Sequence, residues 1–190
     1  MARALEGLQV VELGRRFAAS YATKLMADLG AGVIKVEPPG GDPVRGLPPF
    51  AGGQPHPEKS GAFLYLNCNK QGVTLDTTDP RGRDVLDRLL ARADILVHDF
   101  EPDDAAAAGI SWDRVHSVNP KLIMASITPF GLSGPYRDFK AYDLTLASAG
   151  GWTTVGRVRF WVSALGCDPV ARRTPVPGFR WVEPGGGGGG

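Results

Sequence analysis

Residues 8–37 read LQVVELGRRFAASYATKLMADLGAGVIKVE, and this stretch decides the predicted fold. The apolar run Leu8–Leu13 predicts a strand, and Gly32–Glu37 predicts a second one. Between them, large apolar residues recur at the spacing of one helix face: Phe17, Tyr21, Leu25 and Leu29. Gly30 stands where a glycine often ends a helix. The stretch therefore predicts a β-α-β unit, in which a crossover helix joins two parallel strands.

The alternation of strand and helix continues downstream. Three further apolar runs predict strands: Gly72–Asp76, Asp94–Phe100 and Leu122–Ile127. Asp79-Pro80 predicts a helix start, because an acidic cap precedes a proline at the first helical position. Residues 111–118 predict a short helix, and Pro38–Gly61, rich in proline and glycine, predicts a long loop. Strands that alternate with helices are typical of an α/β fold, so we predict a doubly wound, mainly parallel sheet.

The character of the sequence changes near Gly156. Residues 157–190 crowd arginine, tryptophan and proline together, sustain no helix or strand period, and end in six glycines. We therefore predict an α/β domain over residues 1–156 and an irregular tail over residues 157–190. Our interpretation of the tail is a shifted reading frame, and a glycine-rich linker or tag is the alternative. Translation of the other two frames of the gene tests the frame-shift hypothesis.

Charge and composition limit the possible functions. With 21 basic and 20 acidic residues, the net charge is +1, which argues against a bulk nucleic-acid binder and leaves any anion site local. Cys68 and Cys167 suggest no disulfide framework, and the three histidines, which lack metal-ligand spacing, are predicted to be surface or packing residues. The start has no long apolar signal region, and no apolar run approaches ~20 residues. We therefore expect a cytoplasmic protein with no metal site and no membrane partner.

The turn after the first predicted strand, Leu13-Gly14-Arg15-Arg16, bears on ligand binding. A dinucleotide-binding fold needs G-x-G-x-x-G there, so that the backbone can approach a diphosphate, and this turn has one glycine. Glu37 ends the second strand, where such folds place a ribose-binding acid, but this signal alone is weak. Arg15 and Arg16 open a helix whose first N–H groups are free, and together they predict a local anion site. A solvated surface pair is the alternative.

A polar turn, LNCNKQGVTLD at residues 66–76, precedes the third predicted strand. Asn67 and Asn69 can hydrogen-bond their own backbone and stabilise a turn. Taken alone, Lys70 is predicted to be a solvated turn residue, and Cys68 a small buried one.

Four runs of the chain resemble the start of class III CoA-transferases, the CaiB/BaiF family. They begin LEGLQVVELG, LNCNKQGVTLD, DPRGRDVLD and NPKLIMASITPFG, and they occupy residues 5–46, 66–76, 79–100 and 119–151 in order. Members of this family are considerably longer, form interlocked homodimers, and move CoA between carboxylic acids. The resemblance implies a Rossmann-like α/β domain that is the N-terminal portion of a CoA-transferase. The implied substrates are an acyl-CoA and a small carboxylic acid.

The resemblance also implies a set of CoA-binding residues. They are Arg15, Arg16, Phe17 and Ala18 along the adenosine and pantetheine path, Lys70 and Lys140 against the phosphates, and Phe100 as an apolar contact. Lysines act as point charges toward phosphates, and pantetheine needs an apolar groove. Lys70 is thereby expected at the carboxyl side of the sheet. Family members often carry arginine at the positions of Pro38 and Ala107, and both departures are expected to weaken phosphate binding.

The catalytic residue is unknown from this sequence. In the family, an aspartate attacks the acyl-CoA thioester, and CoA thiolate then attacks the resulting mixed anhydride. Asp168 falls near the expected distance, but Pro169 and the pair Arg172-Arg173 do not resemble the family. A racemase branch carries histidine at the place of Tyr142, which disfavours racemisation here. The alternatives to a transferase are a non-catalytic CoA-binding fragment and a nucleotide-binding oxidoreductase, which the missing glycines disfavour.

Overall fold

The structure is a computed structural model that describes residues 3–151. The chain divides into two compact units, one up to Phe139 and one from Lys140. The predicted boundary near residue 156 and the predicted irregular tail lie outside the described residues and stay predictions. Within the described part of the chain, no helix is both long enough and apolar enough to cross a membrane.

A parallel sheet of five strands forms the centre of the first unit within the described residues. The strands are β1 (Gln9–Leu13), β2 (Gly32–Glu37), β3 (Gln71–Thr74), β4 (Ile95–His98) and β5 (Ile123–Ser126). Their order is β3-β2-β1-β4-β5, and every pair of neighbours is parallel. Because the order reverses between β1 and β4, the crevice at the carboxyl ends of these strands is the topological switch point. The predicted α/β fold is confirmed.

Helices connect the strands. The three predicted ones, after the first strand, from Asp79-Pro80 and over residues 111–118, are confirmed, whereas two short helices, Gly61–Leu66 and Pro102–Ala107, were not predicted. In the first unit they are α1 (Phe17–Asp28), α2 (Gly61–Leu66), α3 (Pro80–Leu90), α4 (Pro102–Ala107) and α5 (Trp112–Val118). The described part of the second unit contains α6 (Asp143–Ala149). The predicted cap of α3 is confirmed, since the Asp79 carboxylate accepts the Arg81 N–H at 2.8 Å. The long loop after β2 contains two short 3₁₀ turns, Pro43–Gly46 and Ala51–Gly53.

Among the described residues of this unit, apolar side chains form three clusters, the smallest of Val44, Phe63 and Leu66. The largest includes Leu86 and Leu90 of α3, Leu96 of β4, Ile110 and Val115. The second packs α1 on the sheet and includes Val10, Ala19, Ala27, Val33 and Val97. Each fully buried Leu or Val contributes roughly 1.5–3 kcal/mol relative to an exposed side chain, so these clusters fix where α1 and α3 sit on the sheet.

Helix α1 presents to the sheet a different face from the one its apolar spacing predicts. The large apolar side chains are about half exposed, at 46–52%: Phe17, Tyr21, Leu25 and Leu29. The buried side chains are small or hydroxylic: Ala19, Ser20, Thr23 and Ala27. The reason is the sheet beneath, where Glu12 and Lys35 are buried and need hydroxyl partners at close range. The predicted helix is confirmed, but its large apolar side chains are not the ones that pack on the sheet.

Candidate functional site

The loops after β1 and β4 meet at the switch point. The Asp99 carboxylate, which follows β4, accepts the main-chain N–H of Arg15 at 2.7 Å and that of Arg16 at 3.1 Å. Both donors lie where α1 begins, and the sequence predicted free donors there. An anion that enters this crevice therefore meets the arginine side chains rather than these two N–H groups.

The two arginine side chains remain half exposed at this crevice. The Arg15 guanidinium stacks over the Phe100 ring, 4.4 Å from its centroid, and lies 3.4 Å from the Asp104 carboxylate. The Arg16 guanidinium lies 4.0 Å from the Glu101 carboxylate. With side chains 50% and 66% exposed, these ion pairs are weak, and each guanidinium keeps further donors for a ligand. The structure thus brings Arg15, Arg16 and Phe100 together, as the family resemblance implies.

A cavity of about 180 Å³ is lined in part by Asp104 and Glu101, the acidic partners of Arg15 and Arg16. Its lining combines carboxylates, one guanidinium and apolar rings: Glu101, Pro102, Asp103, Asp104, Thr128, Pro129, Arg137, Asp138 and Phe139. Among the described residues, the buried Thr128 hydroxyl oxygen finds no hydrogen-bond partner, so a ligand group or a water is needed to satisfy it. The cavity can accept a group that is apolar on one side and hydrogen-bonding on the other.

Both carboxylate oxygens of Glu37, the candidate ribose-binding acid, accept hydrogen bonds from within the protein. Arg45 donates to both of its carboxylate oxygens, at 2.7 and 2.9 Å, and the Asp42 N–H donates at 3.0 Å. Burial alone would raise the pKa of Glu37, but the hydrogen bonds from Arg45 and Asp42 lower it below its ordinary value. Because both oxygens are bound within the protein, the structure disfavours the dinucleotide-binding alternative.

A buried ionic network lies between α1 and the sheet. The Lys35 ammonium contacts the Glu12 carboxylate at 2.7 Å and the Asp42 carboxylate at 2.7 Å, the latter as an ion pair rather than an aligned hydrogen bond. The Lys70 ammonium contacts Glu12 at 2.8 Å. All four side chains are 0–2% exposed, so two positive and two negative charges balance each other away from solvent.

Lys70 does not lie where the sequence predicts. It directly precedes β3, so its backbone is at the amino end of that strand, and its expected place at the carboxyl side is wrong. Its ammonium donates to Glu12 Oε2 at 2.8 Å, to the Ser20 carbonyl at 2.7 Å and to Asn67 Oδ1 at 3.1 Å. An ammonium has three N–H donors, and all three are engaged. Contact between Lys70 and a CoA phosphate stays a prediction, and it requires Lys70 to leave this network.

The network shifts the protonation equilibria of its members. Burial would raise the pKa of Glu12, but Lys35 and Lys70 outweigh burial and lower this pKa to about 2. Burial would lower the pKa of Lys35, but Glu12 and Asp42 raise it above its ordinary value. The pKa of Lys70 is lowered, because burial and the charge of Lys35 together exceed the attraction of Glu12. Glu12 is therefore ionised at neutral pH.

The sequence profile described as CoA-transferase family III matches residues 5–159 of the chain. The chain belongs to this family. Formyl-CoA:oxalate CoA-transferase of Streptomyces avermitilis is 41% identical over 155 residues, which are 80% of this chain and 36% of that protein. Succinate–glutarate CoA-transferase of Agrobacterium fabrum is 38% identical over 154 residues, 80% of this chain and 38% of that protein. This family III chain thus spans little more than a third of the length of these curated relatives.

A solved structure agrees with this assignment. A CaiB/BaiF family protein from Brucella suis superposes with a TM-score of 0.72 at 35% identity. The superposition covers 80% of this chain and 40% of that protein. The family resemblance and the Rossmann-like fold that it implies are both confirmed.

The other implied site residues of this family III chain are placed as follows. Phe17 and Ala18 lie exposed in the first turn of α1, next to the two arginines. Lys140 is exposed and belongs to the second unit, where Tyr142 precedes α6. Asp168 lies outside the described residues. Within residues 3–151, no three His, Cys, Asp or Glu side chains are grouped to hold a metal ion. CoA contact by these residues stays a prediction.

Sequence analysis missed one polar pair at the carboxyl edge of the sheet. His98 ends β4 and is buried, with Nε2 2.6 Å from the Ser126 hydroxyl of β5. Its Nδ1 accepts the Phe100 N–H at 3.3 Å, so Nε2 carries the proton and donates to Ser126. In this tautomer His98 cannot take a proton from Ser126. The pair fixes the backbone before Phe100 and confirms His98 as a packing residue.

Proposed function

We propose that this chain is the N-terminal, CoA-binding portion of an enzyme that moves CoA between an acyl-CoA thioester and a carboxylic acid. The observation that carries the proposal is the meeting of Arg15, Arg16 and Phe100 at the switch point of a family III fold. CoA is highly charged at its phosphates and apolar along pantetheine. Half-exposed guanidiniums beside an aromatic ring and a cavity suit a ligand of that kind.

Each site residue has a proposed part in holding CoA. Arg15 and Arg16 pair with phosphate oxygens, because guanidinium groups match them with paired donors. Phe17, Ala18 and Phe100 line the apolar path of pantetheine. Lys140 adds a third positive charge toward the phosphates. Lys70 contributes indirectly in this conformation, because its three N–H donors are engaged by Glu12, the Ser20 carbonyl and Asn67, and these bonds hold α1 against the sheet.

We propose that transfer proceeds through a covalent aspartyl intermediate, as in the family. A carboxylate attacks the thioester carbonyl, the C–S bond breaks, and CoA leaves as the thiolate while a mixed anhydride forms. The thiolate then attacks the enzyme-derived carbonyl of the anhydride, which releases the donor acid as a carboxylate and leaves an aspartyl-CoA thioester. The acceptor carboxylate attacks this thioester, and CoA leaves again as the thiolate while a second mixed anhydride forms. Attack of the thiolate on the acceptor-derived carbonyl gives the new acyl-CoA and regenerates the aspartate. The nucleophile is unassigned, and Asp168 is the candidate within this chain. The missing histidine at Tyr142 leaves racemisation of 2-methylacyl-CoA as a weaker candidate.

The relatives suggest the first substrates to test. Their names contain oxalate, succinate and glutarate, which are all small dicarboxylic acids. We therefore expect the complete protein to accept a short dicarboxylate. From the family resemblance we also expect it to work as a homodimer, and from the sequence we expect it to act in the cytoplasm.

The direct test is calorimetric titration of the chain with CoA, dephospho-CoA and NAD. We expect CoA to bind, and Arg15→Gln and Arg16→Gln to weaken its binding, with a larger loss at low salt, where screening is weak. Arg92→Gln is the matched control, because Arg92 is exposed and precedes β4 at the opposite edge of the sheet. Binding of NAD but not CoA would overturn the proposal.

A second assay separates a transferase from a CoA-binding fragment without activity. The chain is incubated with succinyl-CoA and then with hydroxylamine, which converts an aspartyl anhydride or thioester into a stable hydroxamate. A hydroxamate found by mass spectrometry supports catalysis by this chain. CoA affinity without hydroxamate supports the binding fragment, which is the runner-up because the nucleophile is unassigned.

A further inference from the structure

The buried carboxylate of Glu12 connects helix α1 to the sheet. Ser20 Oγ donates to Glu12 Oε1 at 2.7 Å, and Thr23 Oγ1 donates to Oε2 at 2.6 Å. Both hydroxyls are fully buried on the inward face of α1. Ser20 lies one turn beyond Arg16 in the sequence, so these bonds hold the helix close to its opening.

Lys70 extends this connection to a third segment. Its ammonium bridges Glu12 of β1, the Ser20 carbonyl of α1 and the Asn67 side chain in the turn before β3. Ser20 thus takes part through two groups: its main-chain carbonyl accepts from the Lys70 ammonium, and its side-chain hydroxyl donates to Glu12. Strand, helix and turn therefore share one set of buried charges.

Gly14 shows how closely the site loop approaches this network. A Cβ added at Gly14 would lie 3.0 Å from Glu12 Oε1 and 3.1 Å from the Ala19 Cβ. The loop that carries Arg15 and Arg16 therefore lies so close to the carboxylate that no side chain fits between them. A shift of Glu12 toward Gly14 would displace this loop.

We infer that Glu12 is a positioning residue, which fixes the opening of α1 and hence the two guanidiniums at the switch point without touching the ligand. This inference rests on the proposed function only for the identity of the ligand, CoA. Buried ion pairs add little net stability over an apolar packing of the same shape, so stability alone is a poor reason to bury four charges here. What they add is a defined geometry among β1, α1 and the turn before β3.

The first test measures hydrogen exchange in the free protein. We expect Glu12→Gln to speed amide exchange over residues 17–23 by on the order of tenfold, because local opening of α1 becomes easier. Asp87→Asn is the matched control, since it removes the charge from an ion pair of 2.7 Å with Arg114, between α3 and α5. It should leave residues 17–23 unchanged. Unchanged exchange in Glu12→Gln, or equal acceleration throughout the chain, would overturn the inference.

The second test measures CoA affinity below the unfolding transition of each variant. We expect Glu12→Gln to weaken CoA binding about tenfold with the same salt dependence as the wild type, and Lys70→Arg to retain more affinity than Lys70→Met. Thr23→Val, which removes a single donor, replaces Glu12→Gln if the latter does not fold. Wild-type affinity in the variant would leave Glu12 a purely structural role. Tighter binding would mean that freed Lys70 is itself the phosphate ligand.

The two tests separate the inference from the proposed function. If the wild-type chain does not bind CoA, the proposed function fails. Exchange over residues 17–23 still decides in that case whether Glu12 positions α1, because that measurement needs no ligand.

Discussion

The Asp99 carboxylate lies 2.7 Å from the main-chain nitrogen of Arg15 and joins the loop after β4 to the loop after β1. Dinucleotide-binding folds hold a diphosphate at the N-terminus of the first helix, close to this position. Here a protein carboxylate takes that role. Because Asp99 already binds these N–H groups, no ligand phosphate has to approach them. This explains why the turn needs only one glycine, Gly14, instead of the three of a dinucleotide-binding turn.

Removal of Asp99 should loosen the start of α1. We expect Asp99→Ala to lower the free energy of unfolding by about 1 kcal/mol, the usual cost of losing a helix cap. Asp84→Ala is a suitable control, since Asp84 is an exposed residue of α3. Urea denaturation of the two variants checks this prediction. Equal midpoints would show that the bonds from Arg15 and Arg16 add nothing to stability.

His98 should make stability depend on pH. Burial lowers the pKa of His98 below its ordinary value of 6.5, and the charge of Asp99 opposes the shift only in part. Below about pH 6.5 the unfolded chain therefore binds a proton that the folded chain does not. Stability should fall as the pH drops from about 6.5 towards the lowered pKa, by about 1.4 kcal/mol for each unit of the shift.

The check for His98 is a series of urea denaturations between about pH 5 and pH 7, the range in which histidine titrates. His98→Gln should show a flatter dependence than the wild type, because glutamine can donate to Ser126 but does not titrate. A slope that is the same in both proteins would assign the pH dependence to other groups.

Gly82 of α3 should not tolerate a side chain. A Cβ there would collide with the main-chain carbonyl oxygen of Asp76, so the first turn of α3 or the preceding loop must move. We expect Gly82→Ala to cost about 1–3 kcal/mol of stability, as overpacking usually does. Gly40→Ala is the control, since its added Cβ meets nothing within 4 Å and its φ is not positive. Thermal unfolding of both variants decides the matter, and equal midpoints would contradict the clash.

The strands and helices could be predicted because each follows a local rule. Alternation of apolar runs with a helical period gave β1, α1 and β2, and Asp79-Pro80 gave the start of α3. These rules involve neighbours in sequence, so one sequence suffices. The meeting of Arg15 with Phe100 was implied by the family resemblance and depends on strand order, which local patterns do not contain.

The buried ionic network could not be predicted in the same way. Its members are distant in sequence, and Lys70 reaches Glu12 across 58 positions. One signal was available: Glu12 and Lys35 interrupt two apolar strands, and charged residues inside a buried strand need partners. The register of β1 and β2 sets these two residues side by side. Only the fold shows that Lys70 completes the set.

The orientation of α1 gives the most discriminating stability prediction. Its exposed face carries large apolar residues such as Leu25, and its buried face carries hydroxyls, so the usual ranking of substitutions should be reversed. Thr23→Val keeps the side-chain shape but removes the donor to Glu12 Oε2 at 2.6 Å. Lys70 still donates to that oxygen, so the loss is one hydrogen bond to a charged group, which should cost about 1.5–3 kcal/mol. Leu25→Gln on the exposed face should change stability by no more than about 0.5 kcal/mol. If urea denaturation instead shows Leu25→Gln to be the costlier change, the apolar stripe of α1 is buried in the protein in solution, and the orientation described here is wrong.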